Sequence, residues 1–440
     1  MGIKVAKFGG SSVANASQMM KVFNIVKKDP KRKFVITSAP GKRNKEDSKI
    51  TDLLYLCRQH VQKSVPFDQV FEIISNRYEE IVRDLNLDFS IKPYLIEIKE
   101  NISKGANTDY VASRGEYLNG LILSQLLGFK FLDPKDMIYF NQNNNLDVEK
   151  TYKTIRETLI GVENAVIPGF YGSSFDGEIK TFSRGGSDVT GAIIAKAVNA
   201  EVYENWTDVS GFLMADPRIV NNPKPIEKIT YKELRELSYM GANVLHDEAV
   251  FPVREASIPI NIRNTNDPDH KGTIIVEDYS DNLKVGKITG IAGTKNFTVL
   301  AIHKDLMNGQ IGFIRKILSI LEKYEISVEH LPSGIDTLSI VIQDCKEKGK
   351  LDKAIEEINQ ECEPNSINVF SNMAIIATVG YGMAEIPGMS AKVFTALAKE
   401  NINIRMIDQG SSEINIIIGV ESDDLGNAIN AIYYAFENGN

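Results

Sequence analysis

The 440-residue chain has little cysteine, no long apolar run and no block of one charge. Cys57, Cys345 and Cys362 are far apart and lack CxxC or metal-ligand spacing. A disulfide framework and a zinc site are therefore not expected, and a reduced, cytoplasmic setting fits best. No apolar stretch approaches the roughly 18–20 residues needed to span a bilayer. The opening segment runs straight into a strand pattern, without the basic and apolar regions of a signal peptide. Acidic residues outnumber basic ones by 58 to 50, and the net charge of −8 makes nucleic acid and anionic membrane poor partners. GxxxxGK[ST] and GxGxxG loops are missing, as is any Ser-His-Asp arrangement. What remains is ordinary globular composition, 43% hydrophobic and 25% charged, over a length that predicts two to three domains.

From Met1 to about Val285, short apolar runs alternate with amphipathic helical stretches, the rhythm of a mostly parallel sheet covered by helices. Strands are expected at Ile3–Phe8, Lys33–Thr37, Ala165–Pro168, Glu201–Tyr203 and Pro259–Ile262. Several of them end in small or polar residues, and ligands bind outside the carboxyl ends of such strands. Between about Pro66 and Leu127 the pattern is almost wholly helical, with Phe71, Ile74, Tyr78 and Ile81 on one core-facing side. The last third repeats itself: Gly312 and Gly388, Ile326 and Ile402, and Gly334 and Gly410 are each 76 residues apart. Each copy reads strand, glycine loop, helix (Phe313–Lys323; Met389–Lys399), strand (Ile326–Val328; Ile402–Ile404), strand, helix. That order is ferredoxin-like, βαββαβ.

Four segments carry chemistry. In Lys7-Phe8-Gly9-Gly10-Ser11-Ser12-Val13, a glycine pair at a strand end lets backbone amides converge on an anion, with Lys7 near enough to reach it. Ser183-Arg184-Gly185-Gly186-Ser187-Asp188 is a second polar glycine turn, opening the apolar helix Ala192–Ala197. Taken alone it also reads as a capping arrangement, with Ser187 or Asp188 as N-cap. Thr207-Asp208 through Asp216-Pro217-Arg218 suits a loop that holds a ribose or polyphosphate. Ser113-Arg114-Gly115-Glu116 is a helical segment whose single carboxylate would ordinarily mark a solvated face.

Jointly these segments resemble the aspartokinase family, within the amino-acid kinases, and the C-terminal repeat is similar to that family's paired ACT domains. The resemblance spans essentially the whole chain. It implies an α/β, amino-acid-kinase-like three-layer fold over residues 1–287, then two ACT copies over 288–440. The copies fall at about 297–362 and 372–440, in sequence or with one inserted in the other. It implies transfer of the γ-phosphoryl group of ATP, with Mg²⁺, to the β-carboxylate of L-aspartate. In that role Lys7 neutralises the transferring group, Gly9, Gly10 and Ser11 cradle it, and Asp188 organises the lysine. Ser38 and Thr51 contact the amino acid, Glu116 meets its ammonium, and Arg184 clamps its α-carboxylate. Thr207, Asp208 and Arg218 hold ATP. Asn243 stands where family members commonly have a lysine beside the nucleotide, and can still donate a hydrogen bond. Leu213 stands where some members have a tyrosine.

The elementary chemistry agrees. An aspartate side chain is already ionised at neutral pH and needs no general base, so the site must chiefly neutralise charge and position groups. The resemblance further implies a homodimer or homotetramer paired through the ACT copies, with an amino-acid effector, lysine or else threonine, held near Met307, Gly312, Phe313 and Glu329. Two rivals remain, a kinase of another amino acid such as glutamate, and a non-catalytic amino-acid sensor.

Overall fold

Lys4-Val5-Ala6-Lys7-Phe8 forms strand β1, and four of its five residues are buried, so both faces of the strand are covered. Burial on both faces belongs to a parallel sheet with helices on either side. The computed structural model describes residues 2–183, 185–241, 247–279, 288–344 and 349–437, without the side chains of Asp247, Glu248 and Glu385.

Elements alternate as expected at first: β1 (Lys4–Phe8), α1 (Ala16–Lys28) and β2 (Arg32–Thr37). Four helices follow, α2 (Ile50–Gln62), α3 (Asp68–Asp84), α4 (Lys92–Ser103) and α5 (Thr108–Leu127). Then come β3 (Lys130–Phe131), α6 (Val148–Thr158), β4 (Ala165–Pro168), the hairpin β5 (Tyr171–Ser173) and β6 (Ile179–Thr181), α7 (Gly186–Ala197) and β7 (Val202–Thr207). The short strands β8 (Phe212–Leu213) and β9 (Pro225–Ile226) precede β10 (Lys228–Thr230), α8 (Tyr231–Tyr239), α9 (Phe251–Glu255), β11 (Ile260–Asn264) and β12 (Thr273–Val276).

An eight-stranded sheet results, in the order β10-β12-β11-β7-β1-β2-β4-β3. Only the β11–β12 pairing is antiparallel among its described neighbours. Ala6, Phe8, Val35, Val166 and Trp206 face one way, into a core shared with α1 to α5. Phe71, Ile74, Tyr78 and Ile81 all lie in that core, as their spacing predicts. Helix α7 covers the opposite face, where the Tyr203 hydroxyl reaches the Asp188 carbonyl at 3.2 Å. Two strand expectations were too short or shifted: the run after Glu201 extends to Thr207, and the next strand starts at Ile260. Helix α7 also starts six residues before Ala192, at Gly186, with Gly185 as N-cap and no side-chain cap. Ser187 and Asp188 therefore lie inside its first turn and do not cap it.

A second compact unit holds the repeat, together with Leu213–Lys224 and Lys232–Asn243. The division thus differs from a single cut after residue 287. Ala215 and Val220 are buried in the same cluster as Val393, Leu397 and Ile432. The buried Glu233 accepts hydrogen bonds from the Thr289 hydroxyl (2.5 Å) and the Tyr381 amide (2.7 Å). The unit continues with β13 (Gly290–His303), α10 (Phe313–Lys323), β14 (Val328–His330), β15 (Thr337–Gln343), α11 (Lys350–Cys362), β16 (Ser366–Val379), α12 (Met389–Lys399), β17 (Met406–Asp408), β18 (Asn415–Glu421) and α13 (Leu425–Glu437).

Both copies share one six-stranded sheet, β14-β15-β13-β16-β18-β17. The first copy uses Phe297–His303 of β13 and the opening of β16; the second uses the rest of β16, and Gly290–Lys295 of β13 completes its sheet. The crossover points Asn296 and Asn372, again 76 residues apart, both have left-handed backbone (φ 72° and 61°). The helices at Phe313–Lys323 and Met389–Lys399 match expectation, whereas the strands after them begin later than Ile326 and Ile402. Those isoleucines instead close the helices. Their amides bond to the Leu321 and Leu397 carbonyls (2.9 and 3.0 Å), with left-handed Glu325 and Asn401 just before them. This is the Schellman arrangement, in which an apolar residue after the turn packs back on the helix.

Candidate functional site

Lys7 projects from β1 onto the α7 face. Its ammonium lies 2.6 Å from Asp188 Oδ1 and 3.4 Å from Asn205 Oδ1. Asn205, on β7, donates from Nδ2 to the same Asp188 oxygen at 2.9 Å. Three elements thus converge on one largely buried charge pair closed by an amide. Asp188 sits in the first turn of α7, where backbone dipoles favour a negative group, and the same helix end favours a ligand anion. Asn205 was not singled out from the sequence; a polar pair, Glu204-Asn205, inside a run that reads as a buried strand was the available signal.

The glycine turn is anchored from two sides. Gly9 donates its amide to the Trp206 carbonyl at 2.9 Å, and Ser12 Oγ meets Thr265 Oγ1 at 2.7 Å. Trp206 is itself braced, since its indole N–H donates to Glu204 Oε2 (2.9 Å), which also accepts from Arg32 Nε (2.7 Å). Residues Gly10–Val13 form a 3-10 turn, and α1 begins only after the Asn15 cap.

Beside the turn stands a different kind of wall. Gly115 lets α5 approach the end of β2, where a Cβ would lie 2.7 Å from the Ala39 methyl and 3.4 Å from Ile50. The next residue, Glu116, is only 6% exposed, so the solvated-face reading is corrected. Burial pushes its carboxyl up to about 8, although the Ala39 backbone amide bonds to it. One carboxyl oxygen, Oε2, has no partner among the described residues, and neither has the buried Asn119 Oδ1 one turn further on. Asn119 Nδ2 donates to the Ser38 carbonyl (2.7 Å) and Thr37 Oγ1 (3.0 Å), and the Ser38 amide bonds to the Phe8 carbonyl (3.2 Å). Thr51 is half-buried in the first turn of α2, next to Ile50.

Lys7, Gly9, Gly10, Ser11, Asp188, Ser38 and Glu116 are therefore neighbours around the carboxyl ends of β1 and β2, and Thr51 follows Ile50, which lies close to Gly115. Thr207 ends β7, its hydroxyl 3.1 Å from Asp208 Oδ1, and Asp208 is exposed. Arg218 lies in the stretch that packs with the second unit, where it forks onto Asp216 and is 88% exposed. Arg184 and Asn243 lie outside the described residues. In the second unit, Met307 and Phe313 are buried in the first copy's core, and Gly312 caps α10 with φ 83°. Glu329 is half-buried on edge strand β14, and burial raises its carboxyl. Its counterpart 76 residues on is Arg405, which pairs with Glu421 at 2.9 Å.

Among the described residues no cluster of three or more His, Cys, Asp or Glu could hold a metal ion, and no helix is long and apolar enough to cross a membrane.

Comparison with known proteins bears on the family and the fold. The amino acid kinase family matches residues 2–264, and the ACT domain matches residues 376–436. Aspartokinase 3 of Bacillus subtilis (strain 168) is 38% identical over 99% of this chain and 98% of its own length. The crystal structure of Clostridium acetobutylicum aspartate kinase superposes with a TM-score of 0.93 at 59% identity, covering 99% of this chain and 100% of that one. E. coli aspartokinase III is 25% identical in both solved states. Its complex with aspartate and ADP (R-state) gives a TM-score of 0.71 over 98% of this chain and 99% of its own. Its complex with lysine and aspartate (T-state) gives 0.76 over 99% of each. An eight-stranded amino-acid-kinase sheet, a lysine–aspartate pair beside a glycine turn, and a doubled ACT sheet occur here together, and the chain belongs to the aspartokinase family.

Proposed function

We propose that this chain transfers the γ-phosphoryl group of ATP to the β-carboxylate of L-aspartate, giving 4-phospho-L-aspartate and ADP, the first step towards lysine, threonine and methionine. The observation that carries the reading is the adjacency of two unlike walls: the Lys7–Asp188–Asn205 centre with its glycine turn, and the buried, half-unpartnered Glu116. The E. coli relative solved with aspartate and ADP supports it.

A β-carboxylate oxygen attacks the γ-phosphorus while the bond to the β–γ bridging oxygen breaks, and no proton need be removed first. The obstacle is repulsion between anions. Lys7 places a positive charge at the turn and Asp188 with Asn205 fixes its direction, so little reorganisation is needed as charge moves. In this reading the amides of Gly10 and Ser11 supply the cradle contacts to the same phosphates, and Gly9, whose amide is held by the Trp206 carbonyl, shapes the turn. Glu116 receives the aspartate ammonium, Ser38 and Thr51 line the pocket, and Arg184 takes the α-carboxylate. Thr207, Asp208, Arg218 and Asn243 serve the nucleotide. Mg²⁺ would enter with ATP, held mainly by phosphate oxygens and water, and would offset phosphate charge.

Regulation follows the same resemblance. Glu329, together with Met307, Gly312 and Phe313, would form the effector site of the first copy, for lysine before threonine, in a homodimer or homotetramer. Its neighbour His330 lies 3.0 Å from Asp408, a contact that ties the edge strands of the two copies together. The test is ADP release with ATP and Mg²⁺, comparing aspartate, glutamate and no acceptor. Aspartate-dependent turnover is expected; turnover with glutamate alone, or none at all, would reject the reading.

A further inference from the structure

The helical layer over the sheet reads from sequence as packing only, yet two consecutive residues of α3 reach both walls of the site. The Tyr78 hydroxyl donates to the Gly115 carbonyl at 2.8 Å, beside Glu116. Arg77 is only 2% exposed and reaches the other wall. Its Nη1 donates to the Gly41 carbonyl at 3.2 Å, and its Nη2 reaches Asp47 Oδ2 at 2.5 Å and the Ser48 carbonyl at 3.5 Å. One planar fork thus grips the connection between β2 and α2 at both ends, a task a single ammonium cannot copy. Arg43 joins the grip on Asp47 at 3.1 Å. Burial works against that carboxylate, but the two arginines hold it at about 2, so the pair persists at any pH the enzyme would meet.

The gripped connection touches the phosphoryl cradle. The Gly41 amide donates to the Gly10 carbonyl at 2.8 Å. A Cβ on Gly41 would lie 2.7 Å from the Gly10 carbonyl carbon and 2.9 Å from the Ser11 nitrogen, and one on Gly10 would lie 3.0 Å from the Ala39 oxygen. The two backbones are in contact with nothing between them, so a displacement at Gly41 becomes a displacement at Gly10 and Ser11.

We infer that Arg77 is a positioning residue for phosphoryl transfer: through Gly41 it fixes the Gly10–Ser11 amides against the nucleotide's phosphates. This rests on the reading of Gly9–Ser11 as the phosphate cradle. The experiment uses full-length enzyme with Arg77→Lys and, approaching from the cradle side, Gly41→Ala. Both should raise KM for ATP and lower kcat/KM for ATP about tenfold, while KM for aspartate stays within about twofold. A role in packing alone would lower the melting temperature and leave both KM values of the folded fraction unchanged. That result, at equal folded fraction by circular dichroism, overturns the inference. Should Arg77→Lys fail to fold, Asp47→Asn, which keeps the buried cation and removes only the loop's charge, decides by the same split. Failure of the wild type to turn over aspartate would instead reject the proposed function, so the two failures are distinguishable.

Discussion

The two walls of the site treat their polar atoms in opposite ways. Around Lys7 every named charge has an internal partner, with Asp188 and Asn205 closing on the ammonium within 2.6–3.4 Å. Around Glu116 a buried carboxyl oxygen and a buried amide oxygen have none among the described residues. An unsatisfied buried polar group costs about 1–3 kcal/mol, and under the proposed function donors from the acceptor would satisfy these two. A phosphoryl group needs charge already in position, whereas an amino acid brings its own ammonium. Under the proposed function, the finished wall would serve the transferring group and the unfinished wall the acceptor.

That contrast is broken most severely on the finished side. Lys7→Ala and Asp188→Asn should each lower kcat by about a thousandfold, or about 4 kcal/mol, because their interactions strengthen as charge moves. Steady-state kinetics with circular dichroism checks this; near-wild-type turnover in either variant would show the centre to be misplaced. Next comes Arg184→Ala, expected to cost about 2–3 kcal/mol in kcat/KM for aspartate through loss of a charge-assisted fork. An unchanged aspartate KM and kcat would remove Arg184 from the acceptor wall.

Glu116 sharpens the comparison through pH. Burial raises its folded-state carboxyl to about 8, above the ordinary value of 4.5, so the folded ligand-free protein holds a proton that the unfolded chain releases. Its contribution to stability is fully present below the ordinary value and is lost as pH rises through about 8. Melting temperature without ligand should therefore fall between pH 5 and pH 8.5, and saturating aspartate should reduce the fall by supplying a cation. Over the same range aspartate binding should tighten with rising pH, by about tenfold. Glu116→Gln should flatten both trends, and a Gln variant with the wild-type pH profile would exclude this carboxyl as the ammonium partner.

Glu329 belongs with Glu116 in this contrast, being a carboxyl raised by burial and proposed to meet a cation. Glu329→Ala should weaken lysine inhibition by about 1–2 kcal/mol of coupling while leaving uninhibited kcat nearly unchanged. Superimposable lysine titrations of the variant and wild type would refute the site, and a wild type blind to lysine would shift attention to threonine.

Sequence patterns located the finished wall's motifs more readily than its geometry. The Gly9-Gly10 pair at the end of β1 and the 76-residue repeat are signals written in the sequence, and the structure places both as expected. Asn119 and Arg77 carry no such signal, because each acts across the fold on residues far away in sequence, and Asn205 offered only the polar pair Glu204-Asn205 within a buried strand. Glu116 was misleading for the same reason: helical periodicity gives no hint that α5 crosses β2 closely enough to bury it. Ile326 and Ile402 read as strand because a Schellman turn needs an apolar residue after the helix, and in sequence that resembles the first residue of a strand.

The shared strand β13 also has a consequence for how the chain is made. Its opening half pairs with residues 79 to 89 positions later, from Lys295↔Ala374 to Gly290↔Val379, and the whole first copy lies between. During synthesis Gly290–Lys295 therefore emerges as an unpaired edge and waits until the entire first copy and the rest of β16 have followed. Contacts of such long range are slow to form, and a waiting edge is exposed to wrong partners. A fragment beginning at residue 372 would lack one strand of its sheet from birth, whereas Phe297–Phe370 forms a loop that starts and ends at neighbouring positions and contains every strand of the first copy.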